Sequence, residues 1–143
     1  MNVKAIMTTN PVCCIPKTDL KTVAEMMLEH DCGEIPVVNN ETDLKPIGVI
    51  TDRDIVCRSI AQGKNPLKSM ARECMTEPCV TVDLESTVED CCKVLEKNKI
   101  RRVPVVDRQG RCCGIVSQAD IATHHLKDEI VEVLEVVSQP HRA

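Results

Sequence analysis

Ile35-Pro36-Val37-Val38 and, past a polar loop, Ile47-Gly48-Val49-Ile50-Thr51-Asp52-Arg53-Asp54-Ile55 are matched further on by Val103-Pro104-Val105-Val106 and Cys113-Gly114-Ile115-Val116-Ser117-Gln118-Ala119-Asp120-Ile121. The match extends backwards without a gap, so that Met7 to Val38 lies on Met75 to Val106, Met-Thr on Met-Thr and Val12 on Val80. Only the loop after the first of these strands differs in length, being two residues shorter in the second copy. The chain is one unit written twice. Duplication of a small α/β unit predicts a pseudo-twofold pair, in which each copy buries its apolar face on the other and the seam forms two related clefts.

Within the first copy, Val12 to Ile15 reads as a short strand, and Thr18 or Asp19 is placed to cap a helix with Leu20, Val23, Ala24 and Met27 on one face. In the second copy the strand is Val80 to Val82, Ser86 and Glu89 have capping-box spacing, and Val88, Cys91, Cys92 and Leu95 form the stripe. The β-branched runs Ile35 to Val38 and Val103 to Val106 are each followed by a second strand, Ile47 to Thr51 and Gly114 to Ser117. Each second strand runs directly into a short helix, from about Arg53 to Ala61 and from about Ala119 to Leu126. The expected architecture is α/β (α+β): two β-α-β-β-α repeats plus a C-terminal helix in which Ile130, Val133, Leu134 and Val137 recur at helical spacing, with Pro140 ending it. The expected boundaries are repeat 1 over 1–61, a linker over 62–73 containing Gly63 and Pro66, repeat 2 over 74–126, and the helix and tail over 127–143.

A length of 143 residues suits one domain or two small units sharing a core, and 43% apolar residues can fill it. A net charge of −4 gives no reason to expect nucleic acid. No apolar run approaches the roughly 20 residues of a spanning helix, and Met1-Asn2-Val3-Lys4-Ala5 lacks a hydrophobic signal core, so no membrane association and a cytoplasmic location are expected. With no Phe, Tyr or Trp, stacking on a ligand ring must be aliphatic. The ten cysteines include the adjacent pairs Cys13-Cys14, Cys91-Cys92 and Cys112-Cys113, which suits reduced, small core hydrophobes better than a disulfide framework.

The most specific local pattern is Gly-h-h-Thr/Ser-x-x-Asp, where h is apolar, at Gly48 to Asp54 and again at Gly114 to Asp120, the first copy with one extra Asp at Asp52. A hydroxyl at a strand end can cap the next helix, and a carboxylate three residues on lies in its first turn. The pattern therefore reads as a doubly capped helix, or as a carboxylate that accepts both hydrogen bonds of a ribose diol while the hydroxyl faces a phosphate.

This motif, with Met-Thr opening each unit and the h-Pro-Val-Val strand, resembles the cystathionine-β-synthase (CBS) domain. From about Val3 to His125 the tandem looks like a stand-alone CBS pair, or Bateman module, similar to the small bacterial hypoxic-response-protein type. The resemblance implies adenosine-containing ligands (AMP, ATP, NAD or S-adenosylmethionine) in the clefts between the repeats. It assigns the ribose diols to Asp54 and Asp120, with Thr51 and Ser117 beside them. It also implies that Val12, Cys32, Gly33 and Ile115 line adenine in the Asp120 cleft, and Val80, Ile100 and Val49 in the Asp54 cleft.

Arg101-Arg102 stands where the first copy has Gly33-Glu34, so phosphate is favoured at the Asp120 cleft, although two arginines there also read as a solvated strand entry. Arg53, Arg58, His124 and Lys4 are secondary phosphate candidates or ordinary surface residues. No nucleophile, base and orienting group share a recognisable motif, and no Cys-x-x-Cys is present, so neither catalysis nor a metal is expected. The expectation is a non-enzymatic regulatory module that requires no cofactor, binds an adenine nucleotide, pairs into a homodimer and acts on itself or an effector protein. The alternatives are a redox- or metal-responsive stress protein with degenerate nucleotide sites, with Cys13, Cys14 or Cys32 as thiol switch, and a structural dimerisation module.

Overall fold

In the computed structural model, which describes residues 1–124 and 127–140, the elements run in chain order as β1 (Thr8–Thr9), α1 (Leu20–Glu29), β2 (Glu34–Val38), β3 (Pro46–Thr51), α2 (Asp52–Arg58), β4 (Val82–Asp83), α3 (Val88–Asn98), β5 (Arg102–Val106), β6 (Cys112–Ser117), α4 (Gln118–Thr123) and α5 (Lys127–Val137). The mixed α/β class is the one the sequence predicts, and in the second repeat β4-α3-β5-β6-α4 follows the predicted order. His125 and the expected end of the second short helix at Leu126 lie outside the described residues.

The chain forms two compact units that do not follow the two sequence repeats. One, the Asp120 unit, comprises Met1–Asn10, Thr81–Gln109 and Cys113–Ala143; the other, the Asp54 unit, comprises Pro11–Val80 and Gly110–Cys112. Each unit thus takes its opening Met-Thr segment from the other repeat. In the Asp120 unit the strand order is β1-β6-β5-β4, with Thr8 opposite Ile115 and β4 parallel to β5 at Val82 and Val105. In the Asp54 unit β2 and β3 pair antiparallel, Thr76 forms an isolated bridge with Val49, and Cys14 a parallel bridge with Val37. The Asp54 unit thus repeats the pairing order of the Asp120 unit, with isolated bridges where the Asp120 unit has its two outer strands.

Two glycines make this arrangement possible. A Cβ at Gly48 would sit 2.6 Å from the Thr76 carbonyl oxygen, and one at Gly114 would run into the Met7 side chain and lie 3.1 Å from the Thr8 carbonyl oxygen. The glycine of each Gly-h-h-Thr/Ser-x-x-Asp motif is the gap into which a Met-Thr backbone fits.

The core of the Asp54 unit gathers Cys14, Leu20, Val23, Met27, Ile35, Val37, Ile50, Ala71 and Cys74. Truncating Leu20 or Ile35 to Ala would remove about 2–5 kcal/mol. In the Asp120 unit α5 packs on α3 and α4 and buries Val133 and Val137, while Leu134 stays exposed.

Three local expectations are corrected. Val12 to Ile15 is not a strand beyond the single bridge at Cys14, because Thr18 turns the chain there: its hydroxyl accepts the Ile15 N–H at 3.0 Å and its own N–H donates to the Ile15 carbonyl. With Thr18 so occupied, α1 begins at Asp19 without a side-chain cap, and Ala24 of its stripe is exposed. The cap of α3 is Thr87 rather than Ser86, since the Ser86 backbone closes a turn onto Asp83. Segment 62–73, the expected linker, forms 3-10 turns at Pro66–Lys68 and Ala71–Glu73, buries Ser69 and Ala71, and donates from Ala71 and Arg72 to the Thr18 and Pro16 carbonyls.

Candidate functional site

In the Asp54 unit, β3 hands the chain directly to α2, and Thr51 and Asp54 cap it reciprocally. The Asp54 N–H donates to Thr51 Oγ1 at 3.0 Å, and the Thr51 N–H donates to Asp54 Oδ2 at 3.0 Å. The rest of the carboxylate is also engaged. Thr76 Oγ1 lies 3.5 Å from both Asp54 oxygens, and Arg58 Nε is 3.8 Å from Oδ1. Arg58 in turn donates to the Met75 carbonyl at 2.8 Å and to that of Cys74 at 3.5 Å. The Asp54 side chain retains only 15% of its exposure.

The equivalent corner of the Asp120 unit repeats the cap and changes everything around it. Asp120 Oδ2 accepts the Ser117 N–H at 2.8 Å and its hydroxyl at 3.0 Å, and the Asp120 N–H points at Ser117 Oγ at 3.2 Å. Oδ1 has no hydrogen bond among the described residues. His124, in the place of Arg58, turns back on its own helix, with Nδ1 2.7 Å from the Asp120 carbonyl oxygen.

The start of each motif helix is tied to the strand entry where the repeats differ in charge. The Gln118 N–H donates to the Arg101 carbonyl at 2.9 Å, as the Asp52 N–H does to that of Gly33 at 3.0 Å. Arg101 is exposed and Arg102 half-buried, and neither guanidinium has a hydrogen bond or ion pair among the described residues. At the same corner the Asp54 unit carries Glu34, Asp52 and Asp54.

A family model for the CBS domain matches residues 3–59 and again 71–127. The chain belongs to the CBS domain family. It is similar to hypoxic response protein 1 of Mycobacterium tuberculosis, 33% identical over 135 residues that cover 94% of this chain and 92% of that protein. An uncharacterized protein of Methanopyrus kandleri, MK0525, is 40% identical over 99 residues, 69% of this chain but only 50% of its relative. Among solved structures, hypoxic response protein I with two coordinated zinc ions superposes with a TM-score of 0.77 at 34% identity, over 87% of this chain and 98% of that one. The CBS pair of MJ0100 in complex with 5′-methylthioadenosine and S-adenosyl-L-methionine superposes with a TM-score of 0.76 at 27% identity, over 87% and 99%.

The other candidate residues fall in one unit or the other. Val12, Cys32, Gly33, Val49 and Val80 belong to the Asp54 unit, and Ile100 and Ile115 to the Asp120 unit; all seven are half-buried. Val12 and Cys32 pack on the core of their unit, and Val49 pairs with Thr76 through its backbone. Lys4 and Arg53 are exposed. No helix of the CBS pair is long and apolar enough to cross a membrane among the described residues. No group of three His, Cys, Asp or Glu side chains able to hold a metal ion occurs among them either.

The thiols separate by environment. A hydrogen bond from the Cys112 side chain holds the Cys13 thiol below its usual range against the opposing effect of burial. Burial, with the neighbouring Cys13, pushes Cys14 up to about 12, and burial pushes Cys79 and Cys91 to about 12 as well. Of the switch candidates, Cys14 is therefore a core residue held as thiol. Thr76 is the site residue the motif reading missed. Its signal was present as the repeated Met-Thr pair, but nothing in the spacing places that hydroxyl over Asp54.

Proposed function

We propose that this CBS pair is a non-enzymatic regulatory module that binds an adenosine-containing ligand (AMP, ATP or NAD), with Asp120 and Asp54 as ribose-diol acceptors beside Ser117 and Thr51. The observation that carries the reading is Asp120: its Oδ2 is held by the cap, and among the described residues its Oδ1 accepts no hydrogen bond and Arg101 and Arg102, which enter the adjoining strand, have no carboxylate partner. That combination suits a diol followed by a phosphate. The half-buried aliphatic side chains Ile115 and Val49 offer flat apolar contact for adenine without an aromatic ring. The two ligands of the MJ0100 complex, which share an adenosyl group, support the same ligand class. Exposed Val56, Ile60 and Leu67 on the Asp54 unit support association with a second copy, through which ligand binding would reach an effector protein.

Because the chain has no Trp or Tyr, nucleotide carried through purification dominates the near-ultraviolet spectrum with a maximum near 260 nm, about that of any adenine compound, and mass spectrometry identifies it. Calorimetry with AMP, ATP and NAD follows. Asp120→Asn keeps an oxygen for the Ser117 N–H and removes the charge, so it is expected to fold normally and to weaken AMP by at least about tenfold, the effect of losing charge-assisted hydrogen bonds. Unchanged affinity in that variant, or no binding by the unmodified protein, refutes the reading. A second reading, a thiol-responsive protein, is favoured by Cys13 with its lowered thiol, and predicts that oxidation rather than nucleotide changes the protein's association.

A further inference from the structure

The two ribose-acceptor corners are not equally open. On the Asp54 side, a hydroxyl equidistant from both carboxylate oxygens, at 3.5 Å, occupies the place from which a diol would address the two oxygens together. Its segment is fixed on two sides. The Thr76 backbone exchanges both hydrogen bonds with Val49, N–H to Val49 O at 2.8 Å and O from Val49 N–H at 3.0 Å, and Arg58 grips the preceding Met75 carbonyl at 2.8 Å. Arg58 also stands 3.8 Å from Asp54 Oδ1, the oxygen that the cap leaves over. In the Asp120 unit the corresponding residues are Thr8 and His124. Among the described residues Thr8 makes no hydrogen bond to Asp120, His124 bonds its own helix, and no contact equivalent to that of Thr76 or Arg58 reaches Oδ1.

We infer that Thr76 and Arg58 form a latch over Asp54 that competes with a ligand's diol and so determines which of the two acceptors fills first. This rests on the reading of Asp54 as a diol acceptor. A hydrogen bond of 3.5 Å is at the outer limit of such contacts, so the latch is weak enough to be displaced. A carboxylate also has about four acceptor positions, so the cap and the diol can be satisfied together once Thr76 turns away. The latched arrangement reduces apparent affinity by the fraction of molecules in which Asp54 is open. Release of the latch on binding frees Arg58 from Asp54, and a guanidinium beside a bound nucleoside monophosphate is then available to its phosphate.

The test isolates the Asp54 acceptor in an Asp120→Ala background and titrates it by calorimetry with adenosine, which has the diol and no charge, and with AMP. Adding Thr76→Ala is expected to tighten adenosine about fivefold, corresponding to an open fraction of about one fifth in the latched protein. Thr76→Ser, which keeps the hydroxyl, is expected to stay at the background value. Arg58→Ala is expected to tighten adenosine as well, and Asp54→Ala to abolish every gain. If Thr76→Ala leaves adenosine unchanged or weaker while the background protein still binds it, the latch is refuted and the diol reading survives. If Arg58→Ala weakens AMP and leaves adenosine unchanged, Arg58 is a phosphate ligand and its place in the latch is refuted. If the unmodified protein binds neither compound, the adenosine reading falls and the latch with it. Circular dichroism of each variant, with Thr76→Ala independent of any loosening by loss of Arg58, separates misfolding from loss of binding.

Discussion

Replacing Gly48 by Ala should damage the protein far more than replacing Gly114 by Ala, although the two glycines hold the same place in the repeated motif. At Gly48 the added Cβ meets a carbonyl oxygen at 2.6 Å, well inside the roughly 3.3 Å of the closest ordinary carbon–oxygen contacts. That oxygen cannot retreat freely, because Thr76 and Val49 exchange backbone hydrogen bonds of 2.8 and 3.0 Å. Opening the gap stretches both bonds, each with a net worth of about 1 kcal/mol, and adds an overpacking strain of about 1–3 kcal/mol. Against this stands the reduced freedom of the unfolded chain, worth about 0.4–1 kcal/mol. The balance is a loss of about 2–4 kcal/mol. At Gly114 the obstructing atom is the sulfur of Met7, the flexible end of a side chain, and the nearest fixed atom is the Thr8 carbonyl oxygen at 3.1 Å. Rotation of Met7 relieves most of the contact, and the expected loss is about 1 kcal/mol. The assay is urea unfolding followed by far-ultraviolet circular dichroism, since the chain has no Trp or Tyr to report by fluorescence. Gly48→Ala should lower the midpoint strongly at unchanged m-value. Equal midpoints for the two variants, or a lower one for Gly114→Ala, would refute the claim that motif glycines are set by what crosses them.

Two further outcomes concern the thiols. Brief treatment of the folded, reduced protein with iodoacetamide just below pH 9 should modify Cys13 ahead of Cys14, Cys79 and Cys91, because the first is held below the ordinary value of 9.0 and the other three are raised to about 12; peptide mapping that finds Cys14 or Cys91 modified first contradicts this ordering. Stability should be level up to about pH 9 and fall from there towards 12: the unfolded chain releases the protons of Cys14, Cys79 and Cys91 near 9, the folded chain keeps them to about 12, and ionisation therefore favours unfolding across that window. Urea midpoints measured across that range check it, and Cys91→Ala should flatten the fall.

The duplication made the fold legible, since β-branched runs, a repeated glycine and a repeated hydroxyl–carboxylate spacing each act through short-range rules. Thr51 with Asp54 and Ser117 with Asp120 cap their helices as the spacing alone requires. Where an alternative partner lay a residue away, the local rule was insufficient. Ser86 was lost to a turn on Asp83, leaving the cap to Thr87, and Thr18 was lost to the Ile15 amide. The exchange of Met-Thr segments between the units was not legible at all. A gapless repeat has the same sequence whether a segment pairs with its own copy or with the other, and only the close approach of Thr76 to Gly48 and of Thr8 to Gly114 distinguishes the two. For the same reason Arg58 could be read as a cation on a short helix, but not as a donor to the Met75 carbonyl.

The residues that stayed alike and those that diverged have different physical duties. Gly48 and Gly114, with the two capping pairs, are fixed by backbone geometry: an added Cβ collides, or a helix loses its reciprocal cap. No such backbone constraint acts on the residue four places beyond each aspartate, where Arg58 crosses to a carbonyl and His124 folds back on its helix, and the strand entries differ in charge, Gly33-Glu34 against Arg101-Arg102. Each aspartate uses one oxygen for the fold, and what surrounds the other oxygen is left to these unconstrained neighbours. A duplicated cap therefore supplies two acceptors of one geometry, and substitutions that cost the fold little make them unequal. Among the described residues Asp120 Oδ1 meets no hydrogen-bond donor, whereas Asp54 Oδ1 has Thr76 Oγ1 at 3.5 Å and Arg58 Nε at 3.8 Å.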